Sequence, residues 1–321
     1  MPRLPNAQLR LGAVVVSYNS ADVLPGALRA LDASAQRAAD RLTLPVPVVI
    51  VDNGSPSAGA VDAAGPLSAL DVRVEHVGEN LGFSRGVNHG LTVLPALDAV
   101  LLLNPDTVLD AAALGHMVDA MRSTGAALVG PLLVDETGAP HGASERPFHS
   151  LRRELQRQLA PCTIRTRPAG AEALATGRAR ALTGACLLVE AAFLNSVGGL
   201  DDEIAMYLED IELAWQAHDA GRPVVLCPDA RCYHDLGGSS EGANFESSDA
   251  LHLTLLAARV EFVRRRVGGA GALSMRALFA LGAVLRIVAS ALLRSRRRIQ
   301  RHVTVLRWAI SSGRAPAWPP A

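Results

Sequence analysis

Four carboxylates and one histidine in this 321-residue chain fall where chemistry could be done. Asp106 follows three leucines in "LLLNPDT" (101–107). Glu209, Asp210 and Glu212 crowd the start of a helical pattern in "YLEDIELAW", and His234 lies in "CYHDLGGSS". A hard divalent cation, Mg2+ or Mn2+, needs oxygen ligands, and one or two carboxylates plus phosphate oxygens suffice. Crowded carboxylates can raise one another's proton affinity and create a general base. A histidine followed by Gly237, Gly238, Ser239 and Ser240 can flank a phosphate pocket. Each feature also has a plain structural reading. A loop aspartate forms turns or caps helices, acids at a helix start complement its dipole, and a lone histidine is more often structural.

Those side chains need a scaffold, and the apolar pattern supplies one. "LGAVVVSYN" (11–19) and "VPVVIVDNGS" (46–55) are short β-branched runs with the signature of buried strands. "VRVEHV" (72–77) alternates, "AVLLL" (99–103) is continuous, and 126–134, 181–190 and 222–228 complete the strand set. Helical patterns occupy 21–40, 82–94, 110–122, 208–221 and 247–269, while 136–180 reads as irregular and Arg-rich. Alternation of this kind predicts an α/β, mostly parallel sheet flanked by helices. Ligands of such sheets bind beyond the strands' carboxyl ends, where Ser17, Tyr18, Asn19, Asp52, Asn53, Asn104 and Asp106 fall. Gly82, Gly86 and Gly90, four apart, leave one helix face nearly bare, which permits close approach to a sheet or a ligand.

Composition narrows the class. Aromatic residues are 4% of the chain, which argues against a stacking surface for nucleic acid. The net charge of zero hides an asymmetry: 259–321 carry 13 arginines and one acid, Glu261, while the remainder holds 18 arginines and 30 acids. A basic end on an acidic body suggests an anionic partner. Within that end, 272–293 is a nearly apolar helix interrupted by Arg276 and Arg286, followed by "RSRRRIQRH". Its length reaches a bilayer span, but central arginines are expensive there, and the composition matches an interfacial helix with a polybasic segment. A hairpin packed on the body or on another subunit, as in a homo-oligomer, is the bland alternative. Cys162, Cys186, Cys227 and Cys232 are too few for a disulfide framework. Cys227, Cys232 and His234 lack zinc-finger spacing. The N-terminus has no apolar signal core, so the body is expected in the cytoplasm, on the inner face of the membrane.

Read in order, "VVVSYN", "VDNGS", "NLGFSRGVNHG", "LLLNPDT", "TGACLLVEAAFLNSVGGLDDEIAMYLEDIELAWQAHDAG" and "CYHDLGGSS" resemble family 2 glycosyltransferases of GT-A (Rossmann-like) fold, over about residues 10–267. The rhamnosyltransferase-like branch is the nearest likeness. The resemblance implies an inverting transferase that uses a nucleotide-diphosphate sugar, with dTDP-rhamnose as the leading donor, together with Mg2+ or Mn2+ and a lipid-linked or polysaccharide acceptor in cell-envelope glycan synthesis. It assigns Ser17, Tyr18, Asn19, Asp52, Asn53, Asn80, Gly82, Phe83, Gly86, Asn88 and Asn104 to nucleotide and donor binding, with Ser17, Asn19 and Asp52 holding the nucleotide and Asn80 and the glycines after it lining the donor site. Asp106 would hold the metal with His234, Asp210 would be the base, and Gly184, Glu209 and Glu212 would face the acceptor. Two departures stand out: Asn104-Pro105-Asp106 replaces a full DXD, and Gln216 stands where an arginine is expected. The implied division is a catalytic domain over 1–246 and a helical, basic, membrane-associating region over 247–321. A nucleotidyltransferase would need a basic glycine-rich loop, which "VVVSYNSADVLPGALRA" lacks. A non-catalytic nucleotide-sugar-binding scaffold of the same fold is the remaining alternative.

Overall fold

The computed structural model describes residues 7–55, 64–140, 144–159, 176–204, 208–234 and 249–311. The chain divides into two compact units. The first comprises Met1–Pro147, Pro168–Glu203 and Glu209–Gly242; the second comprises Phe148–Arg167, Ile204–Leu208 and Ala243–Ala321.

The first unit is built on strands β1 (Leu11–Ser17), β2 (Val46–Asp52), β3 (Leu70–His76), β4 (Ala99–Leu103), β5 (Thr107–Leu109), β6 (Leu128–Val134), β9 (Cys186–Glu190) and β10 (Val224–His234). They form one sheet in the order β3-β2-β1-β4-β9-β6-β10-β5, and a separate ribbon pairs β7 (Glu145–Arg146) with β8 (Ala181–Leu182). β1 runs parallel to β2 and β4, and β10 runs parallel to β6. β9 is antiparallel to both β4 and β6, so the sheet is mixed and mostly parallel. The central strands are covered on both faces, which is why β4 is apolar throughout and wholly buried.

Helices α1 (Leu24–Arg37), α2 (Phe83–Val93), α3 (Ala113–Thr124), α5 (Ala191–Ser196) and α6 (Glu209–Asp219) flank this sheet. Pro25 opens α1, where a missing N–H costs nothing. α2 shows what its bare face is for. A side-chain carbon at Gly86 would come within 3.0 Å of Val16, and one at Gly90 within 2.7 Å of Val14. Those glycines let α2 lie directly on β1, so its N-terminal end is fixed beside the strand ends.

The second unit is helical: α4 (Leu151–Leu159), α7 (Asp249–Val267), α8 (Gly269–Leu292) and α9 (Arg296–Ile310). Gly268, at φ 82°, separates α7 from α8. Phe148 stacks on Phe262 of α7 at 6.3 Å, and Phe279 of α8 meets Trp308 of α9 at 6.2 Å.

Four elements differ from the pattern reading. The 136–180 stretch is not wholly irregular, since it contains β7 and α4. α4, "LRRELQRQL", carries only a narrow stripe of Leu151, Leu155 and Leu159 among six polar residues; its buried residue is Glu154, which faces Arg157 and Arg259. Polarity therefore hid a helix that ion pairing holds. β5 is a three-residue strand after the "NPD" turn, too short to give a periodic signal. β10 runs on past 228 to His234, with its register shifted between Cys227 and Arg231.

Candidate active site

Strand register brings the first two predicted residues together. β10 pairs antiparallel with β5, Cys232 opposite Leu109 and His234 opposite Thr107. Asp106 precedes Thr107 by one residue, so its carboxylate arrives beside the histidine. His234 Nε2 lies 3.4 Å from Asp106 Oδ1, and both side chains are nearly out of solvent. His234 Nδ1 is buried with no hydrogen-bond partner among the described residues. The turn that delivers Asp106 is closed by Thr107, whose hydroxyl donates to the Asn104 carbonyl at 2.6 Å.

This pair fits a divalent cation. Two ligand atoms, each about 2.1 Å from an Mg2+-sized ion, sit about 3 Å apart, close to the observed separation. A carboxylate with an imidazole suits Mn2+ at least as well as Mg2+. Among the described residues no three His, Cys, Asp or Glu side chains form a metal-holding group. Water or substrate phosphate can complete the coordination of such an ion. The sequence-level zinc alternative gains nothing, because Cys227 and Cys232 are buried free thiols and burial pushes the Cys227 thiol up from its ordinary range.

Asp210 sits in the first turn of α6 with Glu209 and Glu212, all three buried. Its carboxylate is fully engaged. Arg146 Nη1 donates to Oδ1 at 2.9 Å and to Oδ2 at 2.6 Å. The Gly184 N–H donates to Oδ2 at 3.1 Å and the Ile211 N–H to Oδ1 at 2.7 Å. An ionised carboxylate offers about four lone-pair sites, and four contacts fill them. The two backbone donors are fixed by the fold, whereas Arg146 is a long side chain, 28% exposed against 3% for Asp210. A side-chain carbon on Gly184 would lie 3.5 Å from Asp210 Cβ and 3.9 Å from the Phe83 ring. The next residue, Ala185, accepts a hydrogen bond from the Asn104 N–H at 2.8 Å. Asp210, Gly184, Phe83 and the carboxyl end of β4 therefore form one continuous neighbourhood.

The residues assigned to the nucleotide and donor sort differently. Ser17 and Asp52 are register partners at the ends of β1 and β2. Tyr18 is exposed, and Asn19 takes a positive φ of 52°. The Asn19 N–H donates to Ser55 Oγ at 3.0 Å. Asp52 is already bonded, accepting from the Ser55 N–H at 3.1 Å and meeting His76 Nδ1 at 2.9 Å. Burial pushes its carboxyl up, but the Ser55 and His76 hydrogen bonds outweigh that and hold it below the ordinary carboxylate range. Asn53 works as a clamp: its amide donates to Asn80 Oδ1 at 2.8 Å and accepts from the Leu81 N–H at 2.9 Å. Gly82 N–H also reaches Asn80 Oδ1. Asn88 bonds Leu200 at both its N–H and its carbonyl, and Asp202 as well. Gly86 faces Val16.

Arg146, His76 and Ser55 were not visible from sequence. Arg146 stands in "SERPFHS" with no periodic context, and its partner lies 64 residues away. His76 ends an alternating strand and reads there as an ordinary exposed residue. The glycines and serines after His234 lie outside the described residues.

This sheet order, with α2 and α6 presenting their starts to the strand ends, defines a GT-A glycosyltransferase fold. The mannosyltransferase PcManGT from Pyrobaculum calidifontis, in complex with GDP-Man and Mn2+, matches with TM-score 0.55 over 96% of this chain and 88% of its own, at 14% identity. GalNAc-T7 with UDP, GalNAc and Mn2+ matches with TM-score 0.58 over 96% and 57%, at 15% identity. A family model described as "Glycosyltransferase like family 2" matches residues 7–253, and the chain belongs to that family. It is 29% identical over 240 residues to the N-acetylglucosaminyl-diphospho-decaprenol L-rhamnosyltransferase of Mycobacterium tuberculosis, across 70% of this chain and 75% of the relative. It is 25% identical over 214 residues to the low-salt glycan biosynthesis hexosyltransferase Agl10 of Haloferax volcanii, across 64% and 63%.

Proposed function

We propose that the protein is an inverting, metal-dependent glycosyltransferase that moves a sugar, L-rhamnose from dTDP-rhamnose as the leading donor, onto a hydroxyl of a lipid-linked glycan. The Asp106–His234 pair carries the reading. It joins one carboxylate and one imidazole beyond the strand ends, where a nucleoside diphosphate would bind. The name of the mycobacterial relative supports both the rhamnosyl donor and a polyprenyl-diphosphate-linked N-acetylglucosamine acceptor. Both structural neighbours are complexes with Mn2+, which supports a divalent ion.

Asp106 and His234 would hold the cation, which when bound neutralises charge growing on the departing diphosphate. Asp210 takes the acceptor hydroxyl proton as the new sugar–oxygen bond forms and the sugar–phosphate bond breaks on the opposite face. One base suffices, since no covalent sugar–enzyme intermediate is needed. Arg146 and the Gly184 and Ile211 amides orient the carboxylate, and Arg146 is the donor that can yield its place to the incoming hydroxyl. Ser17, Tyr18, Asn19 and Asp52 address the nucleotide, while Asn53, Asn80 and Gly82 shape the loop beside it. Residues 1–246 form the catalytic domain; 247–321 meet an anionic membrane surface on its cytoplasmic side, where such an acceptor lies.

The test is transfer from a panel of nucleotide sugars to a short-chain lipid-diphosphate N-acetylglucosamine, with Mg2+ or Mn2+. Asp106→Ala should abolish the metal dependence. Nucleotide release from no donor in the panel, or turnover indifferent to chelation, overturns the reading.

A further inference from the structure

α8 is long enough to cross a bilayer: 24 residues at about 1.5 Å each make about 36 Å, against a hydrocarbon core of about 30 Å. It is also the one helix among the described residues that is both long and apolar enough to do so. Its two faces differ sharply. Leu273, Leu281, Val284, Leu285, Val288 and Leu292 are all exposed. At about 100° per residue they fall within an arc of about 120°. Within this arc the Ser274 hydroxyl is turned back onto the Ala270 carbonyl. The other side buries Met275, Phe279, Gly282, Ala283 and Ser290 against its neighbours in the unit.

The arginines that interrupt the apolar run both lie outside the arc, and both are tied to protein. Arg276 donates to the carbonyls of Trp308, Ala309 and Ser311 at the end of α9, and its guanidinium lies 4.8 Å from the Trp308 ring centre. Arg286 donates to Gln158 of α4, which in turn bonds Glu154. A transbilayer α8 would carry these bonds to membrane depth, together with α4, whose nine residues include three arginines, one glutamate and two glutamines. Charged side chains and polar helices are not tolerated facing lipid there. Immediately beyond α8, Arg294, Arg296, Arg297 and Arg298 are all exposed, where phospholipid headgroups would lie if the helix were parallel to the surface.

We infer that α8 lies in the plane of an anionic membrane, its leucine–valine stripe sunk into one leaflet and the arginines of the α8–α9 junction on the phosphates. This rests on the membrane contact proposed above and specifies its mode. Apolar burial and basic attraction act together in such helices, so both must contribute to binding.

The full chain is floated with phosphatidylcholine vesicles, with and without phosphatidylglycerol. Leu281→Glu and Val288→Glu should each weaken partitioning about tenfold. Arg297→Gln with Arg298→Gln should weaken only the phosphatidylglycerol-dependent part, and alkaline carbonate should strip the bound protein. Transfer to a water-soluble acceptor should be unchanged in all of these variants. Binding that ignores the stripe substitutions leaves a purely electrostatic contact and overturns the embedding while sparing membrane contact. Resistance to carbonate, with a C-terminal tag shielded from protease, means a span and overturns it as well. No binding to either vesicle, with a dimer that Leu281→Glu dissociates, assigns the stripe to a second copy. Loss of soluble-acceptor transfer in the unaltered chain sinks the catalytic reading and leaves these arms readable.

Discussion

Leu102 in β4 is 1% exposed and Leu285 in α8 is 46% exposed. The contrast extends across the two units. Among the described residues, the exposed large apolar side chains of the sheet unit are Tyr18, Leu44 and Val108, whereas the helical unit exposes eleven, most of them on α8. Both segments are rich in leucine, valine and alanine, so hydropathy alone treats them alike. What separates them is the partner supplied by the rest of the chain. β4 has a strand on each edge and helices over both faces. Among the described residues of its own unit, α8 is packed on one side only.

Several measurements break or sharpen that comparison. Asp210→Asn should reduce the transfer rate by about 10²–10⁴-fold and leave vesicle flotation untouched, because it alters the sheet unit's chemistry alone. Leu102→Ala should cost about 2–5 kcal/mol in chemical denaturation, a cavity inside a closed core. Arg146→Ala should lower kcat about 10²-fold at constant donor KM, with Arg146→Lys recovering part of it. A fall in donor affinity instead would move Arg146 from the base to the nucleotide.

Next in size is a pH effect confined to the helices. Burial, then Arg286, Arg301 and Arg298, hold the His302 imidazole below its ordinary value of 6.5. The unfolded chain takes up that proton first as pH falls. Stability is therefore full above about pH 6.5, and is lost as pH falls through the folded-state value. Denaturation midpoints at mildly acidic and neutral pH should differ, and His302→Gln should flatten the difference. The smallest effect is Leu285→Ala, within about 0.5 kcal/mol in the absence of lipid. A cost matching that of Leu102→Ala would mean the stripe is covered by protein.

Much of the sheet was legible because buried strands announce themselves as short, nearly continuous apolar runs. β1, β2 and β4 needed no tertiary information. What escaped was set by long-range pairing. β5 exists only because β10 runs beside it, and α4 is held by Glu154 meeting arginines of its own helix and of α7. The site divided in the same way. Asp106, His234 and Asp210 were readable as candidates from residue type and position. Arg146 was not, since a guanidinium in a polar stretch has no signal until its carboxylate is located. Asn53 and Asn88 were legible as polar residues at strand and helix positions, but that they fasten Asn80–Gly82 and Leu200–Asp202 emerges only from their bonds.

β5 has three residues and occupies the margin of the sheet. So short a border strand is marginal by itself, yet Asp106 stands at its entry and His234 at the facing end of β10. A cation shared by those two would act as a rivet on that border. By thermodynamic linkage, occupancy and strand order would rise and fall together, and chelation would show first as faster amide exchange at Thr107–Leu109.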